Sequence, residues 1–429
     1  MTIPVEALLL QVVDPQAPIA GFGTFLIFTI IKLIIGFTVY MVGAALMTLA
    51  ERKVSAWIQG RHGPNRVGGR GGWLQPAADG VKNFMKEEVE PGAASQPLFS
   101  MAPALAFIPA LLVWCVIPWA SPWPTRWGRL DFVVADLPIG FLFILAISSL
   151  GVYGVVIAGW ASNNKYSLLG GLRSSAQLVS YEIALGMSTI PVILLAGNVS
   201  LSEIVRQQAH SMWNVLNLTI AFIIFIISAF AETNRVPFDL PEAEAELVAG
   251  YHTEYSAMKF SLFFIAEYAN MITQSALMAT LFLGGWDIPF TGWDNAAPYS
   301  GLKTFLTLGC FLTKVLFFLF VFIWVRWTLP RFRYDQLMSL GWNVLLPTAL
   351  GYIALLATTL LVLDAVGVQP GPIHSLVLLM ENISIVLLLF VMVDEGRLIS
   401  PAYGRAQQRE LLLLRARAPR PAIRDGVKK

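Results

Sequence analysis

Nine stretches of this chain are apolar over the roughly 17 or more residues that a helix needs to cross the hydrocarbon of a bilayer. They are 25–49, 99–119, 133–161, 176–197, 215–231, 255–284, 302–325, 342–363 and 373–393. Lipid offers the backbone no hydrogen-bond partners, so a spanning segment must be a helix or part of a closed barrel. The alternation of a barrel strand is absent. The expected fold is therefore an all-α, polytopic transmembrane helix bundle of about nine spans. Composition agrees, with 56% of the 429 residues hydrophobic and 13% charged, against about a quarter charged in an ordinary soluble domain. The N-terminus has no basic region followed by a small-residue cleavage site, so 25–49 reads as a retained span after an N-terminal segment, 1–24.

Positive charge orients the bundle, because cytoplasmic loops retain Lys and Arg. The first loop holds Arg52, Lys53, Arg61, Arg66, Arg70, Lys82 and Lys86; the third Lys165 and Arg173; the fifth Arg235; the seventh Arg326, Arg331 and Arg333. The tail 394–429 adds nine more cations. On the other side the N-terminal segment and the eighth loop have none, and the second and fourth loops have only Arg126, Arg129 and Arg206. The N-terminus is expected outside and the C-terminus inside. A net charge of +2 gives no overall field to hold nucleic acid. Cys115 and Cys310 are each embedded in apolar sequence without a CxxC pair, and no histidines stand at metal spacing, so no metal or iron–sulfur site is expected in this chain.

Two cytoplasmic loops carry the information. In 50–98 a charged triplet, Glu51-Arg52-Lys53, leads into a Gly-rich turn at 60–72 that lacks the Lys-Ser/Thr of a phosphate loop. From Pro76 a helical stripe of Ala77, Val81, Phe84 and Met85 opposes Asp79, Lys82, Lys86 and Glu90, with Asp79 and Lys82 as an i,i+3 pair. Two readings stand for it: a helix lying in the membrane interface, or one whose Asp79 and Lys82 face a cavity shared with a soluble partner. The acidic loop 232–254 holds Glu232, Asp239, Glu242, Glu244, Glu246 and Glu254 against Arg235. Asp239, with Pro241 and Glu242 after it, has the form of a helix start. Glu242 and Glu246 then share a face and repel. Such a cluster binds a cation, pairs with arginines from elsewhere, or keeps some carboxyls protonated, which would make it a proton relay.

Charged residues inside spans are costly and usually functional. Glu182 lies beside Tyr181 in the fourth span, Glu267 in the sixth, Glu381 in the ninth, and Lys314 twelve residues into the seventh, about 18 Å at 1.5 Å per residue. Lys314 is expected to need a partner, and Lys32 to snorkel toward its span end. Glu182, Glu267 and the fifth-loop acids together suggest a polar funnel from the cytoplasmic surface to mid-membrane; protonated carboxyls in helix-packing contacts are the alternative.

Three strings carry a resemblance: ERKVSAWIQGRHGPNRVG (51–68), LQPAADGVKNFMKEE (74–88) and AETNRVPFDLPEAEAELVAGYHTEYS (231–256). With them the chain resembles the H-type membrane subunit, also called subunit 1, of respiratory complex I, the NADH:quinone oxidoreductase. The resemblance implies a translocase subunit of the bacterial inner membrane with no complete active site of its own. It places Glu51, Arg52, Asp79 and Lys82 at a quinone chamber closed by soluble partner subunits. Glu182, Glu232, Asp239, Glu242, Glu244, Glu246 and Glu267 become a proton relay toward antiporter-like membrane subunits. Quinone is the implied substrate, with NADH, flavin and iron–sulfur clusters on other subunits. The ninth span, Glu381 and the basic tail depart from an eight-helix core and inherit no role. A related energy-converting hydrogenase subunit and a stand-alone ion transporter are the competing readings.

Overall fold

A computed structural model of the protein describes residues 21–69, 71–239, 248–289, 291–295, 297–368 and 371–394. The helices are α1 (Phe22–Ile58), α2 (Gln75–Met85), α3 (Gln96–Val113), α4 (Gly140–Ala161), α5 (Lys165–Ala196), α6 (Leu201–His210), α7 (Asn214–Asn217), α8 (Thr219–Glu232), α9 (Ala257–Phe282), α10 (Gly301–Thr328), α11 (Tyr334–Ser339), α12 (Leu346–Val366) and α13 (Pro372–Asp394). A π-helical stretch, Leu340–Leu345, joins α11 to α12.

Among the described residues, six helical segments are long and apolar enough to cross a membrane: Phe22–Ile58, Gln96–Val116, Gly140–Ala161, Lys165–Ala196, Gly301–Thr328 and Tyr334–Val366. The polytopic helical bundle is thus as expected. The other three predicted spans fall on helices outside this group. α8 has 14 residues; the apolar part of the last is Ile373–Leu388; and α9, though 26 residues long, carries Lys259, Glu267, Asn270 and Gln274 within it.

The boundaries also move, for local reasons. α1 runs to Ile58, so the Glu51-Arg52-Lys53 triplet lies inside the helix and not beyond it. α5 begins eleven residues before the expected span, where the Asn164 side chain accepts a hydrogen bond from the Tyr166 amide at 3.0 Å and so caps an otherwise orphaned donor. It ends at Gly197, whose φ of 64° is the left-handed conformation that closes helices cheaply. One strand pair departs from an all-α reading: Trp123–Thr125 and Gly128–Leu130 form an antiparallel hairpin in the loop after α3. Residues 133–139, expected to begin the third span, precede α4 as loop.

In a bilayer the apolar effect does not drive helices together, so close approach of small residues must. Gly154 of α4 lies so close to α3 that a Cβ there would sit 2.6 Å from the Ala106 amide nitrogen. One core cluster stacks Phe99 of α3 on Tyr255 at 4.0 Å, with the Tyr255 hydroxyl donating to the Phe99 carbonyl at 3.1 Å. Another places the Tyr40 hydroxyl of α1 among the Ala110 and Ala269 carbonyls and the Thr273 hydroxyl, at 3.0, 2.8 and 2.7 Å. The Tyr40 bonds tie α1 to both α3 and α9.

The chain divides into two compact units, Met1–Leu376 and Val377–Lys429. Within the second, Asn382 turns its side-chain amide back onto the Leu378 carbonyl of its own helix at 2.8 Å. That local bond satisfies a polar group on an apolar helix.

Candidate functional site

The site is built where α8 ends. After Glu232 the chain turns back on itself through Asn234, a non-glycine residue at φ 52°. The turn is held from α5, since the Gln177 side-chain amide donates to both the Ala231 and Phe238 carbonyls at 2.8 Å. The Arg235 amide donates to the Phe230 carbonyl at 3.3 Å, and the Phe238 amide to the Arg235 carbonyl at 2.8 Å. This sends the Arg235 side chain into the protein.

There Arg235 meets two carboxylates from different helices. Its Nη1 donates to both oxygens of Glu51 on α1, at 2.9 and 3.0 Å. Its Nε lies 2.8 Å from Glu267 Oε1 on α9, with the N–H not aimed at that oxygen. The guanidinium also stacks 4.4 Å from the Tyr268 ring, and the Tyr268 hydroxyl donates to Glu51 Oε2 at 2.5 Å. Arg326 of α10 completes the cluster by pairing with Glu51. Two carboxylates face two guanidiniums, which is how buried charge is tolerated. Burial opposes the charge on Arg235, but Glu267 and Glu51 outweigh it and hold the guanidinium more firmly protonated than usual. Next to it Asp239 pairs with Arg331 at 2.8 Å; burial still pushes its carboxyl up, with Arg331 and Arg326 drawing it down.

Beside this cluster is a cavity of about 70 Å³ lined by Glu182, Glu232, Glu267, Asn270, Thr233 and Tyr251, among others. A water needs about 10–15 Å³ of such space and two or more polar partners, so the cavity has room and partners for several. Glu232 also accepts a hydrogen bond from the Gln274 side chain at 2.8 Å. Three carboxyls from α5, α8 and α9 thus line one cavity, together with apolar side chains of α3 and α4.

The predicted residues separate into two places. Glu51 is buried in the ion cluster, whereas Arg52, Asp79 and Lys82 form their own group near the surface: Arg52 pairs with Asp79 at 2.6 Å and Lys82 stands 3.6 Å from it. Glu182, Glu232 and Glu267 come together at the cavity, and Asp239 lies beside the cluster. Glu242, Glu244 and Glu246 fall outside the described residues, as does the helix start read after Asp239. On α2 the stripe of Val81, Phe84 and Met85 is exposed. Lys32 reaches the loop between α3 and α4, where its ammonium donates to the Asp131 and Val133 carbonyls at 3.2 and 2.6 Å.

Tyr268, Arg326, Arg331, Asn270 and Gln274 are site residues that sequence reasoning missed. A signal for three was present, since Tyr268, Asn270 and Gln274 are polar side chains within one predicted span. The two arginines carried weight only as markers of orientation.

Residues 31–357 match the NADH dehydrogenase family, three quarters of the chain's length. The chain belongs to this family. Among the family's members, the NADH-quinone oxidoreductase H subunit 1 of Cytophaga hutchinsonii is 51% identical over 314 residues, 73% of this chain and 91% of that protein. The H subunit of the Rhodospirillum rubrum enzyme is 51% identical over 325 residues, covering 76% and 91%. The NADH-ubiquinone oxidoreductase chain 1 of Chondrus crispus is 51% identical over 341 residues, covering 79% and 98%. Both the ion cluster and the cavity lie within the family match; α13 and the basic tail lie beyond it.

His252, in the same loop as Asp239, makes a pH-dependent prediction. Its ring packs on Tyr251 and Phe260, its Nδ1 has no hydrogen-bond partner among the described residues, and burial pulls its pKa from 6.5 down to about 4. Below pH 6.5 the unfolded chain takes up a proton that the folded chain refuses, so stability is lost as the pH falls, by about 2 kcal/mol at pH 5. The thermal midpoint of the H252F variant is expected to fall less between pH 7 and pH 5 than that of the parent. An identical fall in both would assign the pH dependence elsewhere.

Proposed function

We propose that this chain is the quinone-site membrane subunit of a proton-pumping NADH:quinone oxidoreductase. It lies in a bacterial inner membrane with nine spans, its N-terminus outside and its C-terminus inside. Soluble partner subunits cover the cytoplasmic end and receive electrons from NADH, and antiporter-like membrane subunits pack alongside. Quinone is the substrate, reduced above this chain by electrons from those partners.

The observation that carries this reading is the cavity shared by Glu182, Glu232 and Glu267, adjoining the Glu51–Arg235 cluster. In the same fold Arg52, Asp79 and Lys82 stand at the surface, where a partner would close a chamber over them. Reduction of quinone to quinol takes two electrons and two protons, and the change of charge above the Glu51–Arg235–Glu267 cluster alters the balance that holds Glu267. Glu267, Glu232 and Glu182 then exchange protons across the cavity, joined on the cytoplasmic side by Asp239, Glu242, Glu244 and Glu246.

The surface group supplies the test of the chamber. Asp79→Asn removes the charge that holds Arg52, at little change in volume. In membranes carrying D79N or R52M, NADH-driven quinone reduction is expected to fall by roughly tenfold or more, as when a positioning contact is lost. NADH oxidation with an artificial acceptor that takes electrons from the soluble partners should be unchanged. Parental quinone reduction in both variants would remove these residues from the chamber.

A further inference from the structure

The end of the bundle opposite Glu51 has a construction that the relay does not use. α8, with 14 residues, is about 21 Å long at 1.5 Å per residue, less than the roughly 30 Å of a bilayer's hydrocarbon. Its start and the end of α9 meet in a buried polar layer. The last carbonyls of a helix have no partner within it, and here side chains from other elements take them. Gln208 of α6 donates to the Thr280 carbonyl at 3.0 Å, and Asn214 to that of Leu281 at 2.9 Å. Lys314 of α10 donates to the carbonyls of Leu283, Gly285 and Asp287 at 2.6, 3.0 and 2.6 Å. Three acceptors for one nitrogen match the three N–H groups of an ammonium. The Lys314 nitrogen also lies 4.3 Å from the Trp213 ring, whose N–H donates to the Asp287 carboxylate at 2.9 Å. Lys314 is thus the partner-requiring charge of the seventh span; its hydrogen-bond partners are backbone carbonyls, and the Asp287 and Asp294 carboxylates are near enough to interact with its charge.

Between this layer and the carboxylates is an aromatic collar. Phe282 contacts Phe222 and Phe225 with centroids at 5.1 and 5.4 Å, and Phe222 contacts Phe318 at 6.1 Å. Phe225 and Phe282 are fully buried. Gln274, the partner of Glu232, precedes Gly284 by ten residues on the same run of chain, about 15 Å along a helix.

We propose that the collar and Lys314 form a proton seal that closes the carboxylate cavity toward the end of the bundle opposite Glu51. An apolar constriction excludes water, and a fixed cation repels an excess proton. The irregular turn at 283–287 would otherwise offer a row of bare carbonyls to water and hydronium. Lys314 occupies those carbonyls and puts positive charge at the same point. The inference rests on the cavity carrying protons, as proposed above.

The test is the decay of a pH gradient across inverted membrane vesicles that carry the whole complex, after NADH-driven pumping is stopped with a quinone-site inhibitor. Lys314→Gln keeps a hydrogen-bonding side chain but no charge; Lys314→Arg keeps the charge. K314Q is expected to reduce quinone near the parental rate and lose its gradient severalfold faster, while K314R holds the gradient. Phe282→Ala opens the collar without touching Lys314 and is expected to leak as well. A K314Q gradient as durable as the parent's would overturn the seal, and equal leakage in K314Q and K314R would reduce Lys314 to a helix cap. Should K314Q not assemble, F282A decides: a parental decay there also overturns the seal. Loss of pumping in E232Q without any leak in K314Q would sink the seal alone, whereas full pumping in E232Q sinks the relay.

Discussion

Replacing Arg235 by Met is expected to cost the folded subunit about 3–5 kcal/mol, the usual penalty for removing one partner of a buried ion pair. Arg235 has 5% of its side chain exposed and Glu51 8%, so solvent cannot take over from the guanidinium. Glu51 would keep Arg326 and the Tyr268 hydroxyl, but Glu267, 16% exposed, would lose the one cation paired with it among the described residues. A loss of that size is a large part of the 5–15 kcal/mol that commonly holds a protein folded. The expected readout is a marked fall in the amount of assembled complex in membranes and a lower thermal midpoint after purification. Arg235→Lys should recover only part, because an ammonium cannot span Glu51 and Glu267 and stack on Tyr268 as a planar guanidinium does. R235M combined with E267Q should be more stable than R235M alone, since the stranded charge is then gone. R235M at parental stability would show that the cluster is not held by charge pairing.

Glu232→Gln is the second large effect, and it acts on function. The substitution keeps the volume of the side chain and a carbonyl oxygen to accept the 2.8 Å bond from Gln274, so the fold should be retained. What it removes is a group able to take and release a proton beside Glu182 and Glu267. Positioned proton-transfer groups commonly contribute roughly 10²-fold or more, so pumping is expected to collapse in E232Q. Gln replacements at Glu182 and Glu267, which line the same cavity, should act in the same direction.

The architecture was legible in the sequence wherever lipid leaves the backbone a single choice. Long apolar runs such as those of α1, α5 and α10 become helices because nothing else satisfies their amides. The site was legible in part. Glu182 and Glu267 stand out as carboxyls at membrane depth and Glu232 as the first acid of the fifth loop, and the cavity brings them together. Glu51 and Arg52 take different partners, because α1 continues past both, and neighbours on a helix point about 100° apart. Glu51 therefore faces the core while Arg52 reaches Asp79. Lys314 announced its need for a partner, but its hydrogen-bond partners are backbone carbonyls at the end of α9, which no side-chain pattern records. α8 begins at Thr219, four residues after the expected start of its span, because the short helix α7, Asn214–Asn217, takes the residues before it.

The direct measurement is proton uptake into inverted membrane vesicles during NADH oxidation, followed together with quinone reduction in the same samples, for E182Q, E232Q and E267Q singly. If the cavity carboxyls couple the two processes, acidification is lost in E232Q and sharply reduced in the other two, while the complex remains assembled and NADH oxidation with an artificial acceptor stays at the parental rate. Parental acidification and parental quinone reduction in all three variants would contradict the relay.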